Sequence, residues 1–562
     1  MVWNSLCLGS GIGGSIKILR AVRQIALERR VMYMKEYVTE LSKYFINICM
    51  IIYTLESFLV FAGKRLNTKI IYNTQSILIF LIQLMCFVDM ILVSEDMQYL
   101  FFYVFVQVFL IAVLAMVPMI YENVNRLLLN NMCMLSGTGL CMIARLSFNK
   151  AVKQYIIILV SLIVSLFIPY LLSRIRFLKK LTWAYAAVGV GALSLVLLMG
   201  NVTYGSKISF SFRGITFQPS EFVKILFIFF LAGALWEKFT FTRVAVTAVI
   251  AGLHVIVLVV STDLGSALIF FIGYVFVVFA ATRNYLYLLC GAAGGSGAAY
   301  IAYRLFGHVK TRVLAWRDPW SYIDNQGYQI TQSLFAIGSG SWFGMGLLKG
   351  DPKKIPKVDA DFIFSSVCEE LGVIFGICLI LIMVSCFIMM MYISTLIRDR
   401  FYQLIVYGIG IIYIFQIFLT VGGGIKLIPL TGVTLPFISY GGSSVMTTMI
   451  MFFIIQGIYI RLQREGGRHN GGRKANNTPR AARTAVRVKP TGAARAAAQA
   501  KPTGAARTAA GRKPARATGT AAGTKQTGSA GTNGSAKSAA PSAKEADAKP
   551  KAPIGKNDGG EA

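Results

Sequence analysis

Hydrophobic residues along the first 460 or so positions fall into long runs separated by short polar segments. Most runs approach 20 residues, enough for a helix to cross a hydrocarbon layer of about 30 Å. Only helices and closed barrels satisfy backbone groups in lipid, and the alternating pattern of a membrane barrel is absent. The predicted helical spans lie at 44–62, 75–94, 99–120, 128–146, 154–173, 180–199, 218–237, 243–261, 264–281, 284–303, 363–392, 402–420 and 440–461.

The composition agrees with a protein that lies mostly within a bilayer. Of 562 residues, 56% are hydrophobic and 14% are charged, whereas about 25% of the residues in a soluble domain are charged. The nine cysteines are scattered singly without CxxC spacing, so neither a zinc site nor a disulfide framework is predicted. We therefore expect an all-α polytopic membrane protein.

The net charge of +32 is concentrated at the C-terminal end and in short loops. From Gln463 to Ala562 there are 20 Lys and Arg residues against 5 Asp and Glu residues, with almost no large apolar side chains. Such a segment cannot bury enough surface to fold, so residues 462–562 are expected to form a disordered basic tail. It has no interleaved aromatic residues to stack on bases, which argues against nucleic-acid binding.

The basic residues in the short loops predict the orientation, because they are retained on the cytoplasmic side. They follow the first, fifth, ninth and eleventh spans, so these loops and the tail are expected in the cytoplasm, and the 200–217, 304–362 and 421–439 loops outside. Thirteen spans also place the basic segment 1–43 outside, which conflicts with this rule. Either the first span is wrongly assigned or translation begins at Met34.

Charged residues beside membrane spans are costly and are therefore candidates for function. Glu221 and Lys224 are three residues apart on a helix, so a structural ion pair is as good an interpretation as a direct role. Asp263 would equally well cap the ninth span. Asp361 would also suit a cap, but its place between a Gly-rich loop and a span favours catalysis.

Five motifs in the same order resemble the shape, elongation, division and sporulation (SEDS) family of FtsW, RodA and SpoVE proteins. They read FQPSEFVK, STDLGSA, GYQITQSLFAIGSG, DADFIFSSVCEELG and PLTGVTLPFISYGGSS. The resemblance covers about residues 128–461 and implies a ten-helix core with the large outer loop 304–362. Three extra helices in 44–127 and the segment 1–43 precede this core.

Members of this family are peptidoglycan glycosyltransferases that polymerise lipid II on the outer face of the bacterial cytoplasmic membrane. Each works with a class B penicillin-binding protein, a transpeptidase. The resemblance implies the same activity here, with undecaprenyl diphosphate released, and implies links to other division or elongation proteins. The ending LPFISYGGSS favours a division protein. A lipid II flippase or other transporter, or a scaffold of the division machinery, is the alternative function.

The resemblance also implies roles for individual residues. Asp361 matches the essential Asp of the family's TDFIF motif, Glu221 and Lys224 its charged pair, and Asp263 the Asp of its DLG segment. The sugar of lipid II is α-linked and the glycan is β-1,4, so one inverting displacement needs a base for the attacking hydroxyl. We expect Asp361 to be that base. Arg312, Lys224 or a divalent cation (Mg²⁺ or Mn²⁺) would stabilise the leaving diphosphate.

Three further residues belong to the predicted site. Gln329 and Ser443 lie in the GYQ and SYGGSS motifs and are expected to support substrate binding. Asp359 departs from the family pattern and places a second carboxylate two residues from Asp361. It would either raise the pKa of Asp361 by like-charge repulsion or share its role. The sequence predicts no set of protein ligands for a metal.

Overall fold

The computed structural model describes residues 12–62, 67–175, 177–203, 206–212, 215–237 and 240–476, all within a unit that ends at Arg480. The predicted disordered tail is wrong for residues 462–476, which continue α16 as a helix, and its remainder lies outside the described residues. The helices are α1 (Ile12–Leu59), α2 (Thr68–Ser94), α3 (Gln98–Ile120), α4 (Arg126–Leu146), α5 (Phe148–Arg174), α6 (Thr182–Met199), α7 (Pro219–Leu235), α8 (Phe241–Val260), α9 (Leu264–Thr282), α10 (Tyr285–Leu305), α11 (Gly307–Arg317), α12 (Tyr328–Gly340), α13 (Ile363–Leu371), α14 (Val373–Leu396), α15 (Arg400–Gly424) and α16 (Gly442–Asn476).

The predicted all-α membrane architecture is confirmed, and every predicted span is helical. Among the described residues, eleven helices are long and apolar enough to cross a membrane by length and composition. The other two predicted spans correspond to α7, which has 17 residues, and to α10, whose many Gly and Ala residues lower its hydropathy. The first predicted span, 44–62, is the C-terminal part of a helix that begins at Ile12.

Helices α11 and α12, a helix break and a small sheet were not predicted, and the two helices lie within the predicted 304–362 loop. The span expected at 363–392 is broken at Gly372, whose φ of +95° ends α13 and starts α14. A Cβ at Gly372 would lie 2.4 Å from the carbonyl oxygen of Trp342, so no other residue fits there without a backbone shift. The 200–217 loop contains a small antiparallel sheet of β1 (Asn201–Thr203), β2 (Ser206–Phe212) and β3 (Ile215–Phe217), in the order β1-β2-β3.

The three helices before the predicted core pack directly on it. Every residue of α4 after Arg126 is buried, because α2, α3, α5 and α14 all pack against it. Inside the bundle, Tyr53 Oη of α1 donates to Asn131 Oδ1 of α4 at 3.0 Å, and Asn131 Nδ2 donates to Ser385 Oγ of α14 at 2.8 Å. Polar groups inside a membrane bundle need partners, so this chain of hydrogen bonds joins α1 to two core helices.

Ion pairs show which parts of the chain share an end of the bundle. Lys349, in the 304–362 loop, pairs with Glu40 of α1 at 2.8 Å. Lys179, before α6, pairs with Asp399, before α15, at 2.9 Å. The N-terminal part of α1 is therefore at the same end as the 304–362 loop. The conflict between the basic segment 1–43 and its predicted side persists, and translation from Met34 stays a prediction.

Candidate functional site

A cavity of about 910 Å³ brings together motifs that are far apart in the sequence. Its wall combines the start of α7, the start of α9, helix α11, the start of α12 and the segments 356–361, 430–434 and 440–444. Six of the eight predicted site residues line it. They are Asp263, Arg312, Gln329, Asp359, Asp361 and Ser443.

Asp361 lies at the cavity wall, partly buried, two residues before the start of α13. Among the described residues, none donates a hydrogen bond to its carboxylate, and Phe362 rather than Asp361 occupies the N-cap position of α13. The capping interpretation of Asp361 is therefore wrong. Burial raises the pKa of Asp361 to about 6, with opposition from Lys357 and Arg312 and a small further rise from Asp359.

The backbone around Asp361 is fixed by the turn that precedes α16. Ser439 Oγ donates to the carbonyl oxygen of Ala360 at 2.5 Å, and the backbone amide of Tyr440 donates to the carbonyl oxygen of Asp359 at 2.7 Å. The same Ser439 hydroxyl accepts a hydrogen bond from the amide of Leu435 at 2.8 Å. The DADFIF and LPFISYGG motifs therefore form one structural unit at the cavity wall.

Asp263 lines the cavity and also caps α9. Its Oδ1 accepts a hydrogen bond from the amide of Ser266 at 3.1 Å, which is the N-cap arrangement expected from the sequence. Its Oδ2 accepts longer hydrogen bonds, each 3.3 Å, from Ser220 Oγ and Gln218 Nε2 of the QPSE motif. The amide of Gln218 in turn donates to Ser443 Oγ at 3.0 Å. Three motifs are thus joined by Asp263 and Ser443.

Arg312 of α11 is hydrogen-bonded to the PLTG segment at the cavity wall. Its Nη1 donates to the carbonyl oxygens of Leu430 and Thr431, each at 3.2 Å, so the side chain is held in one position. Burial lowers the pKa of Arg312 from its usual value, while the carboxylates of Asp361 and Asp263 raise it. A guanidinium retains its charge under such shifts. Arg312 thus places a fixed positive charge at the cavity wall.

Asp359 is paired with a cation, Lys150, that was not predicted from the sequence. Lys150 Nζ lies 2.8 Å from Asp359 Oδ2 and 5.6 Å from the centre of the Tyr440 ring. Among the described residues Asp361 forms no such ion pair, so the two neighbouring carboxylates differ in their contacts. The signal for Lys150 was present, because it is a basic residue in a loop that the predicted orientation places outside.

Glu221 and Lys224 lie behind the cavity wall and do not line it. They form a buried ion pair of 2.7 Å, and Lys224 Nζ also donates to Gln416 Oε1 at 2.9 Å. Gln416 Nε2 donates to the carbonyl oxygen of Thr434, a cavity residue, at 2.9 Å. The structural ion pair that the spacing predicted is thus present, and it supports the wall from within the bundle.

Comparison with known proteins agrees with this arrangement of motifs. Residues 125–464 match the family model of the FtsW, RodA and SpoVE cell cycle proteins. The chain belongs to this family. It is a polytopic membrane protein of the bacterial type, and α1, α2 and α3 precede the matched region.

Individual SEDS proteins show the extent of the similarity. The peptidoglycan glycosyltransferase RodA of Mycobacterium tuberculosis is 32% identical over 359 residues, which cover 58% of this chain and 76% of the relative. FtsW of Aliivibrio salmonicida is 29% identical over 348 residues, which cover 58% and 86%. A solved structure described as the coordination of polymerization and crosslinking by a peptidoglycan synthase complex covers 60% of this chain and 98% of its own, with a TM-score of 0.52 and 23% identity. The last comparison shows a shared fold.

The predicted divalent cation would have few protein ligands among the described residues of the SEDS site. In the part of the chain that the structure describes, no group of three or more His, Cys, Asp or Glu residues could hold a metal ion. Mg²⁺ is commonly bound through one or two carboxylates together with substrate phosphates. The predicted cation would thus depend on the substrate for most of its ligands.

Replacing Lys224 tests the supporting role of the buried pair. Lys224→Met should destabilise the protein by about 3–5 kcal/mol, because it leaves the Glu221 carboxylate buried without its cation. The double variant Glu221→Gln, Lys224→Met should recover part of that loss. Thermal unfolding in detergent measures both, and Lys180→Met, an exposed cation, is the control. Normal stability with lost activity in Lys224→Met would instead indicate a direct role in the reaction.

Proposed function

We propose that this SEDS protein, a peptidoglycan glycosyltransferase, polymerises lipid II by an inverting displacement in which Asp361 is the general base. The observation that carries the proposal is the state of the Asp361 carboxylate. It lines a cavity of about 910 Å³, no described residue donates a hydrogen bond to it, and burial raises its pKa to about 6. A general base is most effective when its pKa lies near the working pH.

The reaction needs one carboxylate to accept the proton of the attacking hydroxyl. The acceptor's 4-hydroxyl attacks the anomeric carbon of the donor sugar, the bond to the diphosphate breaks, and the α linkage becomes β. As the new C–O bond forms, the hydroxyl proton passes to Asp361. Asp359 is less suited to this step because Lys150 already neutralises it at 2.8 Å.

Arg312 is the group best placed to stabilise the diphosphate that leaves. Its guanidinium is already held by the carbonyl oxygens of Leu430 and Thr431, so it need not reorganise when charge develops. Its fork of N–H donors suits phosphate oxygens. Lys224, the other protein group considered from the sequence, would act through Gln416 and the wall, since it does not line the cavity.

The cavity is proposed to face the outside of the cytoplasmic membrane, with the tail in the cytoplasm. The distribution of loop charges supports this orientation. The similar synthase complex couples polymerization to crosslinking, and we assign the crosslinking partner here to a class B penicillin-binding protein. Lipid II as donor and acceptor, and undecaprenyl diphosphate as the released product, belong to the same proposal.

The pH dependence of polymerisation tests the proposal. In detergent micelles the purified protein, with its partner, should form glycan from labelled lipid II, although no transport across a membrane is possible there. The rate should fall as the pH drops through about 6, because Asp361 must be deprotonated to accept a proton, and should approach a tenfold loss per pH unit below that.

Initial rates across about pH 4.5 to 8 at constant ionic strength give the profile. A rate that is flat through this range would contradict a general base with the pKa of Asp361. The absence of glycan in micelles, together with lipid II movement in vesicles, would favour the transporter alternative.

A further inference from the structure

Helix α1 lies outside the family match, yet it contacts the segment that leads to Asp361. We call residues 341–361 the catalytic loop. We propose that α1 positions this loop, holding α13 and the segment before it so that the Asp361 carboxylate stays fixed in the cavity. The inference rests on the role of Asp361 proposed above. It assigns a function to a helix that the matched region, residues 125–464, does not include.

The central contact is made by Asn47, which is 1% exposed. Its Nδ2 donates to the carbonyl oxygen of Leu371 at 3.0 Å and to that of Lys43, on its own helix, at 2.8 Å. Leu371 is the last residue of α13, directly before the break at Gly372. The last carbonyls of a helix lack partners within it. Asn47 therefore supplies from α1 a hydrogen bond that the end of α13 cannot make for itself.

Three contacts join α1 to the catalytic loop itself, the first being a long hydrogen bond of 3.4 Å from Asn47 Nδ2 to the carbonyl oxygen of Phe343. Lys349 Nζ lies 2.8 Å from Glu40 Oε1, and the ring centres of Tyr44 and Phe343 are 5.2 Å apart. Together with Asn47, Glu40 and Tyr44 form one contact surface on α1, within two helical turns. The ion pair is partly exposed and contributes little stability by itself. Its importance is that it fixes where the loop lies.

The catalytic loop and α13 move as one body, because their backbones are hydrogen-bonded to each other. The amides of Met345 and Gly346 donate to the carbonyl oxygens of Glu369 and Glu370, each at 2.9 Å. A Cβ at Gly344 would lie 2.2 Å from the carbonyl oxygen of Glu370, which shows how closely the two segments approach. A contact that holds the start of the loop therefore also holds the end of α13.

Helix α13 transmits this constraint to the cavity. All nine of its residues are buried, and at about 1.5 Å per residue it spans roughly 13 Å. Asp361 lies two residues before its first residue, and the carbonyl that Asn47 binds belongs to its last. A shift at one end of so short a helix displaces the other, and a misplacement of about 1 Å can cost a large part of the rate.

The core helix α4 also holds the catalytic loop and α13. This second set of contacts limits the loss of rate that is expected when the α1 contacts are removed. Arg145 Nε of α4 lies 2.6 Å from Glu370 Oε1, and Arg145 Nη2 donates to the carbonyl oxygen of Gly350 at 2.8 Å. Loss of the α1 contacts alone should thus loosen the loop without releasing it. We expect about a tenfold loss of rate, well below the loss for removing the base. Residues 40–47 follow Met34, so the contacts exist with either start of translation.

A charge exchange between Glu40 and Lys349 tests the inference in the full-length protein with its transpeptidase partner. Glu40→Lys and Lys349→Glu should each lower kcat for lipid II polymerisation about tenfold, with KM changed less than about twofold. The double exchange should restore part of kcat, because Glu40 also pairs with Lys43 at 2.6 Å and that pair is not rebuilt. Glu36→Lys is the matched control, because Glu36 is exposed on the same helix one turn earlier and undergoes the same charge reversal.

The pH at which the rate falls on the acidic side of the profile (the acidic limb) is a second measurement. This pH does not change when less protein is folded, so it reports on the site itself. A loosened loop exposes Asp361 to water, which lowers its pKa, so the limb should shift to lower pH in the single variants and return in the double exchange. Asn47→Leu, which removes the donor but keeps the size, should show the same shift. Single variants that match Glu36→Lys, or a double exchange as slow as the single variants, would overturn the positioning role.

Asp361→Asn in the same assay separates this inference from the proposed function. If Asp361→Asn is inactive and the charge exchange has no effect, only the role of α1 fails. If Asp361→Asn is fully active, the proposed base fails, and with it the claim that α1 acts through Asp361.

Discussion

Asp361→Asn is expected to lower the rate of glycan polymerisation by about 100- to 10,000-fold, the usual contribution of a general base. The amide has nearly the same shape as the carboxylate but cannot accept the proton of the attacking hydroxyl. Because no described residue donates a hydrogen bond to the Asp361 carboxylate, the replacement leaves no buried donor without its partner. The folded protein should therefore be obtained in normal amount, and the loss should fall on kcat.

Two other carboxylates in the 304–362 loop make the result specific. Asp324 is exposed, and Asp324→Asn should retain normal activity. Asp359→Asn should lose far less than Asp361→Asn, since the Asp359 carboxylate already pairs with Lys150. Single-turnover assays with labelled lipid II measure all three. An Asp359→Asn variant as slow as Asp361→Asn would mean that the two carboxylates share the proton, and a normal rate for Asp361→Asn would exclude it as the base.

Much of the fold could be predicted because lipid restricts the chain to few solutions. An apolar run such as 402–420 has to be a helix, whatever its tertiary contacts. The break at Gly372 does not follow from hydropathy, because the residues on both sides are apolar. It depends on the close approach of the backbone at Trp342 and Gly344, which only the folded chain reveals. The sheet over 201–217 likewise has no strong local pattern.

The candidate site could be predicted where its residues belong to motifs, and not where they are joined only in space. Asp361, Asp263 and Arg312 were identified and line one cavity. Lys150 was missed because it stands 209 residues from its partner Asp359. The contacts of α1 with the catalytic loop were missed for the same reason, since Asn47 is an ordinary polar residue in an apolar span until its hydrogen bond to Leu371 is seen.

Arg312→Ala is expected to slow polymerisation by about 100- to 1,000-fold, the usual effect of removing one group that stabilises charge in the transition state. Arg312→Lys should recover part of the rate, because it keeps the charge but loses the fork of donors. The matched control is Arg317→Ala, an exposed arginine at the end of the same helix. Equal rates for Arg312→Ala and Arg317→Ala would remove Arg312 from the reaction.

The pH profile of Arg312→Ala distinguishes two possible roles of Arg312. The side chain either acts as a charge in the cavity or only supports the structure of the PLTG segment. Arg312 lowers the pKa of Asp361, so its removal should raise that pKa and shift the acidic limb of the profile to higher pH. If Arg312 only held the carbonyl oxygens of Leu430 and Thr431, its replacement would lower thermal stability without this shift. This shift of the acidic limb is opposite to the one expected for the α1 variants. In the α1 variants the Asp361 carboxylate gains contact with water, which lowers its pKa, whereas in Arg312→Ala it loses a neighbouring cation, which raises its pKa.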